Sequence, residues 1–401
     1  MRDPGLADLI GGATRRVLSR IVDLCLDERV DALLLAGDLY DGDQTSMKTA
    51  RFLLDEVKRL HEAGVRVFVI RGNHDALSRI TKELVFPPTV KVFGGRAEAV
   101  TVEMQGHAPV VVHGLSFSQP HAPECLLAKF KPAVEGAVNI GIMHTSLAGA
   151  AGHDPYAPCS MSDLQGAGFR YWALGHVHKR SVVEQGGCAV VMPGMPQGRD
   201  VNENGVKSVT LVTIGDDRSI RLEERATGVA QFERVSVDAT GIADWRDLLV
   251  TVERALERAR AATRSRHLVA RLRLTGATPL AWRIRRDLDL LKTEIDARTG
   301  GNGACWVEKL EAECRPPGDA AAAPAADPFA ELRRLIRDDV LGSDAFRAEL
   351  LGVVDELRTQ LPPECRDSLG ADEADAGDHL ARWAREGAED VLARLQACES
   401  V

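Results

Sequence analysis

The sequence predicts an α/β fold whose sheets are covered on both faces, followed by a small α+β domain and a helical C-terminal segment. Three observations carry this expectation. Continuous apolar runs of strand length alternate with amphipathic helical stretches through the first 225 residues. The pattern changes after about residue 225, and an Ala/Pro-rich stretch then sets off a final acidic segment. At about 150 residues per domain, a chain of 401 residues has room for two or three domains.

Residues 12–29 place Leu18, Ile21, Val22 and Cys25 on one helical stripe, and the run 32–36 (ALLLA) follows as a strand. The pair repeats as a helix over 52–63 and a strand over 65–70. Further strands are expected at 109–115, 138–143, 171–174, 189–192 and 206–214. Near-continuous apolar strands separated by helices belong to sheets buried on both faces. Beyond 225, residues 245–263 read as a helix, 267–274 as an alternating strand, 279–297 as a helix and 304–312 as a strand. The expected domains are therefore 1–225, 226–315, a linker at 316–328 and an acidic helical segment at 329–401. No repeat of fixed period is present.

With 45% hydrophobic, 27% charged and 4% aromatic residues, the chain is of ordinary globular composition. It contains no apolar run of membrane-spanning length, and its N-terminus lacks the basic and apolar regions of a signal peptide. The expectation is a cytoplasmic protein with no membrane partner. Eight scattered cysteines without a C-x-x-C pair read as reduced thiols acting as small buried hydrophobes. The net charge of −9 lies in the tail: residues 327–401 hold eighteen Asp and Glu against nine Arg. Residues 254–286 hold ten Arg and one acid, Glu257, which fits either phosphate attraction or an ordinary solvated face.

The chemistry gathers immediately after the expected strands, where α/β sheets place ligand sites. The first strand leads into Gly37-Asp38-Leu39-Tyr40-Asp41 and the second into Gly72-Asn73-His74-Asp75; later strands lead into His144 and Gly175-His176-Val177-His178. Alone, each fragment reads as a turn or a surface pair. Together, in order, Asp, Asn and His at successive strand ends form an N/O donor set suited to Mn, Fe or Zn.

On these words the chain resembles the calcineurin-like metallophosphoesterases, whose blocks run D-x-H, G-D-x-x-D, G-N-H-D/E, H and G-H-x-H; the last four are present in order. The stretches 171–178 and 152–159 are similar to the bacterial YhaO/SbcD-type DNA repair exonucleases. The resemblance spans roughly residues 10–315 and is firmest up to 215. It implies a metallophosphoesterase two-sheet sandwich flanked by helices and an Arg-rich capping domain. It implies two divalent metal ions, Mn²⁺ by analogy, bridged by Asp38. Asn73, His144 and His176 would complete one site and His178 would serve the other. His74 would be the general acid and Asp41 would stand behind the ligands. Two cations can clamp a phosphodiester, supply hydroxide at neutral pH and stabilise both oxygens of an in-line displacement, while a histidine suits proton delivery.

The first block is missing: residues 1–30 contain no histidine. The expectation is that Met1 is an internal methionine and that the D-x-H strand lies upstream. The alternative is a protein that has lost one metal site and acts as an adaptor.

His113 reads as a core or rim histidine, and His61, His107, His121, His267 and His379 as solvated. His153-Asp154 fits a substrate loop or a turn. Residues 193–199 read as a tight turn in which Arg199 could hold a phosphate, and Trp172 and Trp245 read as core. The chain has neither a G-x-x-x-x-G-K-[ST] word nor a G-x-S-x-G word, which excludes P-loop ATP hydrolysis and a nucleophile-elbow serine hydrolase. The leading expectation is a metal-dependent exonuclease or endonuclease acting on DNA with an SMC-like (SbcC-type) ATPase docked on the tail helices; homodimerisation is an open possibility. The competing expectations are a small-molecule phosphoesterase, separable by its weaker salt response, and a catalytically silent DNA-binding adaptor.

Overall fold

Side-chain alternation decides how the strands are layered. After the helices α1 (Pro4–Gly11) and α2 (Ala13–Asp27), strand β1 (Ala32–Ala36) leads through α3 (Met47–Glu62) to β2 (Arg66–Ile70). Together with β3 (Val90–Val92) these strands make a parallel three-stranded sheet in the order β1-β2-β3. Leu33, Leu35, Val67 and Val69 face α2 and α3, packing with Val17, Ile21, Leu53 and Leu60. Their neighbours Leu34, Ala36, Phe68 and Ile70 face the opposite way and join Ile140, Ile142, Tyr171, Ala173 and Val191 of a second sheet. A strand that packs apolar neighbours on both faces has no polar alternation to offer, which is why the half-buried 32–36 reads as one apolar run.

The second sheet contains β4 (Glu98–Val102), β5 (Val110–Gly114), β6 (Val138–His144), β7 (Tyr171–Gly175), β8 (Ser181–Gln185) and β9 (Cys188–Met192). Its order is β4-β5-β6-β7-β9-β8: the central four strands are parallel and the two edges antiparallel. Its outer face buries Met143, Trp172, Leu174, Val190 and Met192 with Leu164 of α4 (Met161–Gly166). Trp172 is fully buried, stacks on Phe169 and donates its indole N–H to the Leu164 carbonyl at 3.0 Å, as a core tryptophan should. The hairpin β10 (Ser208–Ile214) and β11 (Ile220–Ala226) adds Val212, Ile214 and Leu222 to the inter-sheet core. The architecture is the two-sheet sandwich flanked by helices that the resemblance implies.

The chain divides into two units, Met1–Glu233 with Thr263–Leu268, and Arg234–Ala262 with Val269–Val401. The structure is a computed structural model that describes residues 3–40, 46–76, 84–122, 124–147, 156–299, 303–317, 328–361 and 373–398. In the second unit, β12 (Ala230–Asp238), β13 (His267–Ala277) and β14 (Cys305–Arg315) form a sheet in that order. Helix α5 (Trp245–Ala262) packs on α7 (Leu288–Thr299), and α6 (Ala281–Arg286) precedes α7. One helix over 279–297 is the expectation; two form. Asp287 closes the first at φ −106° and ψ 31°, outside the helical region, and its carboxylate accepts from Arg286 at 2.8 Å. The tail contributes α8 (Pro328–Leu335), a π-helical turn at Ile336–Val340, α9 (Asp344–Gln360) and α10 (Glu373–Cys398). Leu332, Ile336, Leu392 and Ala393 cluster around Trp282. Most of the expected linker, 318–327, lies outside the described residues. No described helix is long and apolar enough to cross a membrane.

Candidate metal centre

Parallel strands deliver their carboxyl ends to one edge, and four of the singled-out words meet there. Asp38 follows β1, Asn73 follows β2, His144 ends β6 and His176 follows β7. Among the described residues, Asp38, His144 and His176 bring their ligand atoms within 4.8 Å of one another. The chain turns sharply to achieve this. Gly37 has φ +95°, Asp38 +55° and His176 +104°, and for the two non-glycine residues this left-handed backbone costs about 1–3 kcal/mol each. Strain held at the residues that converge is the signature of a site that the surrounding fold over-determines.

His144 is the hub and is fully buried. Its Nδ1 lies 2.8 Å from the Ala36 carbonyl, which can only accept, so Nδ1 carries the proton. In the neutral ring Nε2 then holds a lone pair. Nε2 faces Asn73 Oδ1 at 2.9 Å and Asp38 Oδ2 at 3.3 Å. Three electron-rich atoms thus converge, an arrangement that repels unless a proton or a cation sits among them. A divalent ion of the Mn, Fe or Zn class fits this N/O set.

Three glycines make the approach possible. A Cβ at Gly37 would stand 2.6 Å from His144 Nδ1; one at Gly72 would strike Asp38 Oδ1 and lie 2.7 Å from His144 Nε2. One at Gly175 would run into the Ala36 carbonyl. The glycine before each ligand word therefore serves close packing around one imidazole.

Burial alone would raise the Asp38 carboxyl; where a proton rather than a cation sits on His144 Nε2, its hydrogen bond and charge, with the backbone N–H of His74, outweigh burial and hold the group below its ordinary value. Asp75 is pushed up, by burial first and then by the Asp38 charge. Its two oxygens accept the backbone N–H groups of Leu39 at 3.0 Å and Gly72 at 2.6 Å. Asp75 therefore ties the two ligand loops together. The ring of Tyr156 lies 5.0 Å from that of His176, and Tyr156 is braced by the Ser146 hydroxyl at 3.1 Å. The bond from Leu39 to Asp75 and the Tyr156–His176 contact act between segments apart in sequence and leave no local spacing to find.

His178 stands apart from the converging trio. It is half-exposed, and its Nδ1 lies 3.1 Å from Glu203 Oε1. Arg199 reaches the same carboxylate at 3.1 Å. Burial would raise Glu203, but the Arg199 bonds and charge, with His178, hold it below its ordinary value. His113 is a buried core histidine bonded to Asn139 at 2.9 Å and set against Phe169. His61, expected in solvent, is half-buried and lies 3.1 Å from Thr89 Oγ1. Asp41, His153 and Asp154 lie outside the described residues.

In comparisons with known proteins, residues 6–180 match the calcineurin-like phosphoesterase family and residues 232–315 match the middle domain of the metallophosphoesterase YhaO. The chain is 34% identical over 260 residues to the uncharacterized metallophosphoesterase YhaO of Bacillus subtilis (strain 168), covering 65% of this chain and 63% of that one. It is 29% identical over 186 residues to the DNA double-strand break repair protein Mre11 of Sulfurisphaera tokodaii, covering 44% of this chain and 46% of that one. It is 23% identical over 231 residues to a subunit of the SbcCD nuclease of Bacillus subtilis, covering 49% of this chain and 59% of that one. In each case the match spans less than two thirds of the relative's length.

Proposed function

Because residues 6–180 of this chain match the calcineurin-like phosphoesterase family, we propose that the protein is a Mn²⁺-dependent phosphodiesterase that cleaves DNA. The observation that carries the reading is the convergence of Asp38, His144 and His176 within 4.8 Å, with Asn73 against both imidazoles. Bound there, divalent ions would supply Lewis-acid activation of water and charge stabilisation of the phosphoryl oxygens. The chain's own residues do the rest. Ala36 fixes the His144 tautomer so that its lone pair faces the site, and Asp75 holds the two ligand loops at a fixed separation. His74, exposed beside the cluster with its backbone N–H on Asp38, would deliver a proton to the leaving oxygen, and Asp38 would be a ligand of the bound ions.

DNA as substrate is supported by the relatives named as a DNA double-strand break repair protein and as part of a nuclease. An SMC-like ATPase as partner, with the tail helices as its docking surface, is part of the same reading, as is His178 serving a second ion.

The test is cleavage of end-labelled duplex DNA, and of a chromogenic aryl phosphodiester, with and without Mn²⁺. Asp38→Asn and His176→Ala are expected to lower Mn²⁺-dependent turnover on both substrates by at least a hundredfold while the melting temperature stays near that of the parent. Turnover of the chromogenic ester alone would favour a small-molecule phosphoesterase. Duplex binding without turnover of either would favour the adaptor. Undiminished turnover in Asp38→Asn would overturn the assignment of the centre.

A further inference from the structure

The segment after β9 carries a carboxylate that the proposed chemistry does not use. Glu203 ends the short turn Val201–Glu203, whose first N–H groups are capped by Asp200 at 2.7 Å. Its side chain is only 12% exposed, unusual for a glutamate in a loop. Oε2 accepts the backbone N–H of Arg199 at 2.7 Å; Oε1 accepts from the Arg199 guanidinium at 3.1 Å and lies 3.1 Å from His178 Nδ1. A carboxylate held by arginine can only accept, so His178 Nδ1 is the donor. The lone pair of the neutral ring then sits on Nε2.

The same segment also fixes the backbone of His178. Met195 donates its N–H to the His178 carbonyl at 3.2 Å. Gly194, at φ +75°, comes so close that a Cβ there would stand 2.7 Å from that carbonyl and 2.9 Å from the Arg180 nitrogen. Residues 194–203 thus grip both the main chain and the ring of one histidine, a degree of constraint that a solvated surface pair does not need.

We propose that Glu203 is the positioning residue of His178: it fixes the Nδ1–H tautomer and the ring orientation so that Nε2 is presented as a metal donor, and the two Arg199 hydrogen bonds hold the carboxylate in place. This rests on the metal-centre reading given above. Carboxylates behind metal-binding histidines typically contribute ten- to a hundredfold in metal affinity.

Two measurements on the full chain test it. In metal-free protein labelled with ¹⁵N, at a pH where the imidazole is neutral, the His178 ring signal is assigned by its disappearance in His178→Gln. The expected result is an Nδ1–H tautomer in the parent, retained in Glu203→Gln, whose amide oxygen still accepts, and replaced by Nε2–H in Glu203→Ala. An Nε2–H ring in the parent overturns the inference without any Glu203 variant having to fold. In calorimetric titrations with Mn²⁺, Glu203→Ala and His178→Ala are each expected to weaken one binding event by about ten- to a hundredfold, with Glu203→Gln close to the parent. Parent-like Mn²⁺ affinity in Glu203→Ala overturns the inference, whereas parent-like affinity in Asp38→Asn overturns the underlying reading instead.

Discussion

Gly72 shows how much of the centre depends on an absent side chain. Its Cβ would strike Asp38 Oδ1 and the His144 ring, and neither can retreat, because His144 is buried and tied to Ala36. Gly72→Ala is therefore expected to lose about 1–3 kcal/mol of folding stability as an overpacked site, and to lose Mn²⁺ binding with it. Gly11→Ala is the control: the space around it is open, and stability is expected to hold or rise. Melting curves with and without Mn²⁺ check both. The thiols give a second residue-scale expectation. Burial pushes Cys25, Cys159, Cys305 and Cys314 up to about 11, whereas Cys125 is exposed. Reaction with iodoacetamide needs the thiolate. At pH 8, peptide mapping is thus expected to find Cys125 modified at least tenfold faster than those four. The sign of the linked pH dependence follows. From about 9 to 11 the folded chain keeps protons that the unfolded chain releases, so stability falls as pH rises through that window. Denaturant midpoints at pH 8 and pH 10.5 measure the fall.

Among the elements, β6 and β7 carry the strictest packing. Gly141 on β6 pairs across to Trp172 on β7, and a Cβ at Gly141 would enter the indole ring. Gly141→Ala is expected to cost about 1–3 kcal/mol and to change the tryptophan fluorescence, because Trp172 must leave its stack on Phe169. An unchanged midpoint and spectrum would mean that the sheet yields there. The same packing explains which elements are legible in the sequence. Strands with apolar neighbours on both faces, such as the half-buried 32–36 and the buried 138–144, stand out as mainly apolar runs. The strands that go unread are β3, β4, β8, β11 and β12, which are short or mix in charged and polar residues, as in IRLEERA and SVVEQ. β4 and β8 are sheet edges, where one side meets solvent and the apolar signal is diluted. At the centre, the ligand words are legible because each follows a strand in a short fixed spacing. Asp75 is legible as the end of the G-N-H-D/E word, though its bond to Leu39 is not; Tyr156 and Glu203 are not legible, since what they support lies on other segments and their value is set by the fold.

For the molecule as a whole, the question is how much of the basic segment is available to phosphate. Of its ten arginines, six meet carboxylates. Arg264 pairs with Glu224, Arg271 with Glu308, Arg273 with Glu313, Arg285 with Asp390, and Arg283 and Arg286 with Asp287. The cation count along the chain therefore overstates the local field, because all the neutralising acids except the adjacent Asp287 come from other segments and cannot be seen in a window of sequence. Arg254, Arg258, Arg260 and Arg266 are the members of the run without a carboxylate partner among the described residues. If duplex DNA is engaged through this segment, four phosphate contacts set a slope of log K against log salt of about −4, where ten would set about −9. Arg254→Glu with Arg258→Glu is then expected to shallow the slope by about 2 and to leave the melting temperature unchanged. Arg271→Glu should behave in the opposite way. It faces Glu308 with a like charge at a half-buried position, so it lowers the melting temperature and leaves the slope intact. Fluorescence anisotropy of a labelled duplex from 50 to 200 mM salt separates the two classes, and a slope near −9 in the parent would mean that the ion pairs open to release their arginines.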